Sequence, residues 1–296
     1  MRTVTTDDDD DFTPPVAPPA SALADYLGYL LSRAFKRASA CGRAAMPDGR
    51  VPRELGVLSV LSERGPISQR KLGEVLGVNR TIMVKLIDGM ERGGLVSRER
   101  DPDDRRSYRV TPLPAATEAL AEMGKAAVHG EAELVSALTP AEHQRLVELL
   151  TRLLPDSAEP PERFAGRTGY LLAATHLQLR ERGLAEMRVL GIDPRDFGVL
   201  AIIAALEPCS QQQVAREMAV SSPAVVGAVH TLHHEGFIER DRKPDDRREH
   251  VLRLTAEGRA VLARAREITD RIHAEVAERL TGEGLEELKA LLIKII

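Results

Sequence analysis

The sequence predicts a mainly α-helical protein with small β-hairpin wings: two winged helix-turn-helix units that form a pseudo-dimer through long N- and C-terminal helices. Three observations predict it. The stretch Pro-Asp-Asp-Arg-Arg occurs twice, at 102–106 and 244–248, with Pro102 and Pro244 142 positions apart. Each copy follows a helical pattern ended by a glycine, Gly94 or Gly236, and separates two short runs of alternating apolar character, the signature of a helix stop followed by a hairpin. Aromatic residues make up only 3% and Trp is absent, so the core is built from Leu, Val, Ile and Ala and favours helices.

The flanks of the two copies stay in register. Arg53–Leu58 faces Arg195–Leu200, Ser68-Gln69 faces Ser210-Gln211, and Gly94-Leu95-Val96 faces Gly236-Phe237-Ile238. Further upstream Gly28–Leu31 faces Gly169–Leu172 at an offset of 141, a slip of one residue in a loop. A chance recurrence of five residues would not align its surroundings, so one fold is written twice. At 296 residues the chain has room for two such domains. The expected division is an acidic, Pro-rich tail over 1–20, a first unit over 21–154, a linker over 155–161 and a second unit over 162–296. The composition of the tail is that of a disordered segment; it serves solubility, or else imitates DNA and inhibits. The linker is so short that the end of the first unit must lie near the start of the second.

Each unit reads in the same order. A long first helix (about 21–42 and 162–188) carries leucines and small residues at helical spacing. A second helix begins near Val51-Pro52 and Asp193-Pro194, with proline tolerated in the first turn and Asp193 placed to cap, Asp196 three residues on. A short helix (68–76, 210–218), a turn and another helix (80–92, 222–235) follow, then the hairpin strands (95–100 with 106–111, 237–242 with 248–254). Two more helices close each unit, and Thr139, Pro140 and Glu142 spell a capping box in the first.

The formal net charge is −4, but the run Asp7–Asp11 supplies five of the negative charges, so a basic surface is local rather than global. Two cysteines, Cys41 and Cys209, are too few for a disulfide framework and fit a reducing, cytoplasmic setting as ordinary small or buried thiols. No apolar run approaches the roughly 18 residues of a membrane span. The motifs of metalloproteases, serine hydrolases, P-loops and dinucleotide sites are missing, which argues against an enzyme and against a cofactor.

The helix over 80–92 has a core stripe of Val78, Ile82, Leu86 and Met90, with Ile87 beside it. Thr81, Val84, Lys85, Asp88 and Arg92 share the other side, with Asn79 and Arg80 at its start. A major groove admits such a helix, N-terminal residues first, and Asn79, Arg80, Thr81 and Lys85 carry suitable donors and acceptors; Ser221 and Ser222 open the matching helix. A solvated face is the plain alternative. The hairpins shift that balance. Arg105, Arg106, Arg247 and Arg248 at the tips suit a narrow minor groove, and Arg98, Arg100, Arg240 and Arg242 on the strands suit phosphates. Asp103, Asp104, Asp245 and Asp246 are acceptable there only as partners that orient the arginines.

The stretches Val78–Thr111 and Val220–Leu262 resemble the multiple-antibiotic-resistance regulator (MarR) family. The shared features are the recognition helix, the Gly-Leu-Val start of the wing, the Asp-Arg-Arg tip and Leu-Thr-x-x-Gly at Leu254–Gly258. The first copy departs from it, since its segment Val110–Thr117 lacks that glycine and is shorter. The resemblance implies dimers with interleaved terminal helices, two winged lobes on a pseudopalindrome of double-stranded DNA, and repression relieved by a small-molecule effector. One chain then equals a family dimer, and its lobes are free to diverge: Thr81, Val84, Lys85, Asp88 and Arg92 correspond to Pro223, Val226, Gly227, His230 and His234. The first copy is expected to read bases, the second to bind through its wing and backbone contacts.

Two rivals stand beside this reading. Tyr26, Tyr29, Phe35, Tyr170, His176 and Phe197 could line a ligand pocket of a protein that sequesters a compound and has weak or lost DNA binding, although aromatics at such spacing are commonly core. His230, His233 and His234 have a spacing that can place imidazoles on one metal, although histidines near a helix C-terminus are favoured by its dipole alone.

Overall fold

Proline sets the start of the second helix in each repeat, where a missing N–H removes no helical bond. Val51 donates its backbone N–H to Glu54 at 3.4 Å ahead of Pro52. Asp193 caps the matching helix, accepting from the N–H groups of Arg195 and Asp196 at 2.8 and 2.9 Å, while the Asp193 N–H donates to Asp196 at 3.2 Å. The Thr139 box also forms: the Thr139 N–H donates to Glu142 at 2.9 Å, and the Glu142 N–H to Thr139 Oγ1 at 3.3 Å.

The computed structural model describes residues 22–100, 108–155, 162–242, 250–281 and 283–296. The first repeat runs α1 (Leu27–Ala45), α2 (Pro52–Arg64), β1 (Ile67–Ser68), α3 (Gln69–Leu76), α4 (Arg80–Arg92), β2 (Val96–Arg100), β3 (Tyr108–Pro112), α5 (Ala115–Leu134) and α6 (Pro140–Leu153). The second runs α7 (Thr168–Met187), α8 (Pro194–Leu206), β4 (Cys209–Ser210), α9 (Gln211–Met218), α10 (Ser222–His234), β5 (Ile238–Arg242), β6 (His250–Leu254), α11 (Ala256–Leu280) and α12 (Glu283–Ile295). Element for element the order is the same. Both sheets are antiparallel, ordered β1-β3-β2 and β4-β6-β5. Their registers also repeat: Ile67 faces Val110 and Val96 faces Pro112, as Cys209 faces Leu252 and Ile238 faces Leu254.

Two details differ from expectation. The first helix of each repeat starts later, at Leu27 and Thr168. A turn over 22–25 precedes α1, and Gly166, at φ +75°, breaks the chain before α7. Each sheet also has a third strand of two residues, too short to leave a pattern in sequence.

The compact units of the chain cut across the two repeats. Of the described residues, one holds those up to Arg37, Glu148–Leu153 and those from Thr175 to Ile296; the other holds those from Ala38 to Val147 and from Leu154 to Ala174. In the first, Leu23 is 2% exposed in a core with Phe197, Leu200, Val229, Leu252 and Leu262, a burial worth about 1.5–3 kcal/mol for one leucine. In the second, Phe164 packs on a core with Leu55, Leu58, Ile87, Val110 and Leu120. Leu23 and Phe164 stand 141 positions apart, so the opening segment of each repeat is built into the lobe of the other. Among the described residues no helix is long and apolar enough to cross a membrane.

Candidate nucleic-acid interface

Ser68 starts the helix-turn-helix of the first repeat, its Oγ accepting from the Lys71 N–H at 3.2 Å. Gly77 ends α3 at φ +63°, the left-handed conformation that a glycine adopts without strain. Asn79 then caps α4, its Oδ1 accepting from the Ile82 N–H at 2.9 Å. The oxygen of Asn79 therefore serves the helix itself. The buried face of α4 is Met83, Ile87 and Met90, so the stripe expected at Val78, Ile82, Leu86 and Met90 is turned by about one residue. Ile82 and Leu86 flank it half-buried, because the i, i+4, i+7 set centred on Met83 and Ile87 fills the lobe. The opposite face keeps its expected members: Arg80, Thr81, Val84, Lys85 and Arg92 are exposed or partly so, as is Asp88.

The wing is tied to this helix by Arg98. Its guanidinium lies 2.6 Å from Asp88 Oδ1 and donates to Glu91 Oε2 at 2.6 and 3.0 Å, while its backbone N–H donates to Glu91 Oε1 at 3.1 Å. The hydrogen bonds to Glu91 outweigh the cost of burial, and with Asp88 they raise the guanidinium pKa still further. Arg98, expected to hold a phosphate, is thus committed to two carboxylates of its own lobe. Arg100 stays exposed, its guanidinium 4.9 Å from the centre of the Tyr108 ring, the residue paired with it across the hairpin. Sequence reasoning misses Tyr108, whose one signal is its position opposite Arg100. Asp103, Asp104, Arg105 and Arg106 lie outside the described residues, as do Asp245, Asp246, Arg247 and Arg248. Arg242 is described only as the last residue of β5.

The second repeat builds the same frame with different chemistry. Ser210 caps α9, accepting from the Gln213 N–H at 3.2 Å. Ser221 occupies the cap position of α10 but makes no side-chain cap bond, and Ser222 and Pro223 are exposed in the first turn. Val225, Ala228, Val229 and Leu232 are buried, leaving Val226 (52% exposed), Gly227, His230 and His234 outward. The positions of Asp88 and Glu91 are held by His230 and His233. His233 Nδ1 lies 3.0 Å from the Ile238 carbonyl, which can only accept, so this nitrogen carries the proton. Arg240, the counterpart of Arg98, has a buried Nε with no hydrogen-bond partner among the described residues. The three histidines do not converge: among the described residues no group of three His, Cys, Asp or Glu side chains could hold a metal.

Five of the six residues expected to line a pocket pack against other rings. Tyr26 meets Phe197 edge-on at 5.0 Å, Phe35 stacks on His176 at 5.1 Å, and Phe164 stacks on Tyr170 at 5.7 Å. The Tyr29 hydroxyl donates to the Glu217 carbonyl at 3.0 Å. Burial raises the Tyr170 pKa above its ordinary value. An open groove of about 300 Å³ lies along α11 and the end of α7 with the turn after it, between Glu186, Val189 and Leu190 on one side and Arg264, Ile268 and Arg271 on the other.

The MarR family model matches residues 52–108 and 192–250, once in each repeat. A Thauera aromatica protein described as a transcriptional regulator for the hcr operon is 32% identical over 114 residues, 38% of this chain and 69% of its own. The HTH-type transcriptional regulator YkoM of Bacillus subtilis is 32% identical over 124 residues, 42% of this chain and 80% of its own. The chain belongs to the MarR family. As a MarR-family winged helix-turn-helix protein it is a DNA-binding transcriptional regulator. Among solved structures, a protein from Pseudomonas aeruginosa described as a transcriptional regulator is 29% identical, covering 45% of this chain and 99% of its own at a TM-score of 0.42.

The MarR-like Leu-Thr-x-x-Gly stretch shows what its residues do here. Thr255 Oγ1 accepts from the Gly258 N–H at 2.9 Å and donates to the Gly236 carbonyl at 2.8 Å, tying the start of α11 to the turn before the wing. The first repeat has Pro114 at the start of α5 and no side-chain cap. It keeps only the backbone bond, Leu113 N–H to the Leu95 carbonyl at 2.8 Å, where the second repeat has Thr255 N–H to Phe237 at 3.1 Å.

Proposed function

We propose that this chain is a repressor that works as a single-chain pseudo-dimer, placing its two winged lobes on the half-sites of an imperfect palindrome in double-stranded DNA. The observation that carries the reading is the stack of Phe35 on His176. These residues hold equivalent positions in the two repeats, 141 apart, so the first helices of the repeats meet at matching positions, as the two halves of a dimer would. The exchange of Leu23 and Phe164 between the lobes supports the same reading, since it reproduces within one chain the interleaved ends of a family dimer.

The lobes are unequal in this proposal. The first presents Arg80, Thr81 and Lys85 to base edges. The second, with Ser222, Pro223, Val226 and Gly227 outward, offers shape and its wing. Tethering makes engagement of the second half-site intramolecular, at an effective concentration of about millimolar, so a weakly reading lobe still adds affinity. Arg105, Arg106, Arg247 and Arg248 enter the minor groove, and Arg98 holds the first wing to α4 rather than holding a phosphate. Such a regulator works in the cytoplasm, where the DNA is, and a small-molecule effector releases it, as the family resemblance implies.

The test is selection of DNA sites by the purified chain, followed by footprinting and stoichiometry. One chain is expected to protect two half-sites about one helical turn apart. Alanine at Arg105, Arg106, Arg247 and Arg248 together should flatten the salt dependence of log K by roughly 0.9 for each phosphate that is no longer neutralised. Two chains on each site, or binding unchanged by the fourfold substitution, would overturn the proposal.

A further inference from the structure

The two repeats hold the start of their exchanged helices by different chemistry at one position. Residue 131 on α5 and residue 273 on α11 correspond at the repeat offset, and they are Glu131 and His273. Glu131 accepts from the backbone N–H groups of Thr168 and Gly169 at 2.7 and 3.3 Å, so a carboxylate seats the first turn of α7. His273 Nε2 accepts from the Leu27 N–H at 3.1 Å, so an imidazole seats the first turn of α1. A carboxylate can accept with either oxygen, and its charge suits a helix N-terminus. An imidazole accepts only through an unprotonated nitrogen. Once protonated, His273 would present a donor and a positive charge to an N–H donor at the positive end of a helix dipole.

We infer that His273 is a pH-sensitive latch that fastens the start of α1 to the lobe of the second repeat and lets go on protonation. What it fastens is specific. Leu23 is buried in the core of that lobe, Tyr26 lies edge-on to Phe197 and 6.1 Å from the His273 ring, and Tyr29 donates to the Glu217 carbonyl on α9, the first helix of that helix-turn-helix. Release of Leu27 therefore loosens the support of one DNA-binding lobe and leaves the seat of the other in place. The groups around the ring come from three elements: Asp25 ahead of α1, Asp270 on α11, and Glu286 and Lys289 on α12. Burial, reinforced by Lys289, holds the imidazole below its ordinary value, against the pull of Asp270, Glu286 and Asp25. Lys289 is itself bound to Glu286 at 2.8 Å. The neutral acceptor is thus the form that the folded chain prefers. At the other seat, His143 lies 2.8 Å from the Thr168 hydroxyl and 3.8 Å from Glu131, and the acceptor of the α7 N–H groups is the Glu131 carboxylate.

The sign follows from the lowered value. The unfolded or opened segment binds the proton more tightly than the closed one, so the latch is fully closed above about pH 6.5 and weakens as the pH falls below it. Amide hydrogen exchange on the full chain, corrected for intrinsic rates, reads this directly. Protection over residues 22–31 should fall up to about tenfold per pH unit between about pH 6.5 and 5, while residues 168–175 lose none. His273→Gln, which can accept at any pH, should keep the protection flat, and His273→Lys should remove it throughout. A flat wild-type profile, or a parallel fall in His273→Gln, would overturn the inference. The readout needs no DNA, so it is independent of the proposed operator.

Discussion

The Arg98 guanidinium sits 2.6 Å from the Asp88 carboxylate, joining the first strand of a wing to the outward edge of the recognition helix. With Glu91 on its other side the arginine fixes the angle between α4 and the wing of the lobe. Arg98→Ala is expected to lower stability by about 1–2 kcal/mol, the usual range for a charged hydrogen bond discounted for its exposed partners. Its charge is already matched by two carboxylates, so the salt slope of DNA binding should change by well under the roughly one unit that a phosphate-binding side chain contributes. Arg100→Ala should show the reverse, a lowered slope with little effect on stability. Denaturant melts and salt-titrated binding of both variants check the pair of expectations.

Lys85 projects from α4 where the second repeat has Gly227. If the first lobe reads bases, Lys85→Ala should weaken binding to a selected site by about 1–3 kcal/mol and relax preference at one position of one half-site. His234→Ala should leave preference intact. Scrambling the half-sites in turn gives the same contrast: one scrambled half abolishes specific binding, the other lowers it modestly. Equal discrimination in both halves would contradict the division of labour.

What could be read in the sequence was whatever repeats or alternates. The 142-residue spacing aligned the elements from α2 to β3 with those from α8 to β6, since register is preserved when turns have equal length. The buried face of α4 was legible to within one residue; Met83 and Ile87 are buried where Ile82 and Leu86 were expected, because the stripe's phase depends on what the lobe offers it. Contacts between distant elements leave no such trace. Arg98 reads as a free cation until β2 lies against α4, and only then do Asp88 and Glu91 claim it. Hydrophobic spacing does not say which lobe Leu23 and Phe164 enter. His273 leaves no signal in the sequence because its partner is a backbone N–H, which every residue but proline carries.

Glu207 joins the end of α8 to the sheet of the second lobe. It accepts from the Leu254 N–H at 2.8 Å and pairs with Arg259 at 2.5 Å, with its side chain 15% exposed. Burial opposes its charge, but the bonds from Arg259 and Leu254 win, and its pKa lies below the ordinary carboxylate value. A depressed value means stability that is present above about pH 4.5 and lost as the pH falls through the folded value. Glu207→Gln should cost about 1–2 kcal/mol at neutral pH. Its melting temperature should also vary less with pH than the wild type's over the acid limb, with the two curves converging at the acid end. Parallel curves would assign the acid sensitivity elsewhere.

Gly258 shows how tightly the second wing is sewn to α11. A Cβ built there would lie 1.9 Å from the Phe237 carbonyl oxygen, and that atom is backbone, held by the Thr255 N–H at 3.1 Å. No rotamer change relieves such a clash; either the start of α11 or the turn before β5 must move. Gly258→Ala should therefore destabilise the lobe by about 3 kcal/mol, the upper range for overpacking. Ala116, at the same position of the first repeat, causes no such conflict because α5 starts from Pro114 without the threonine cap. Ala116→Gly should accordingly cost about 1 kcal/mol, the ordinary penalty of glycine in a helix. Chemical denaturation of the two variants gives the comparison, and equal effects would mean that the two helix starts are alike after all.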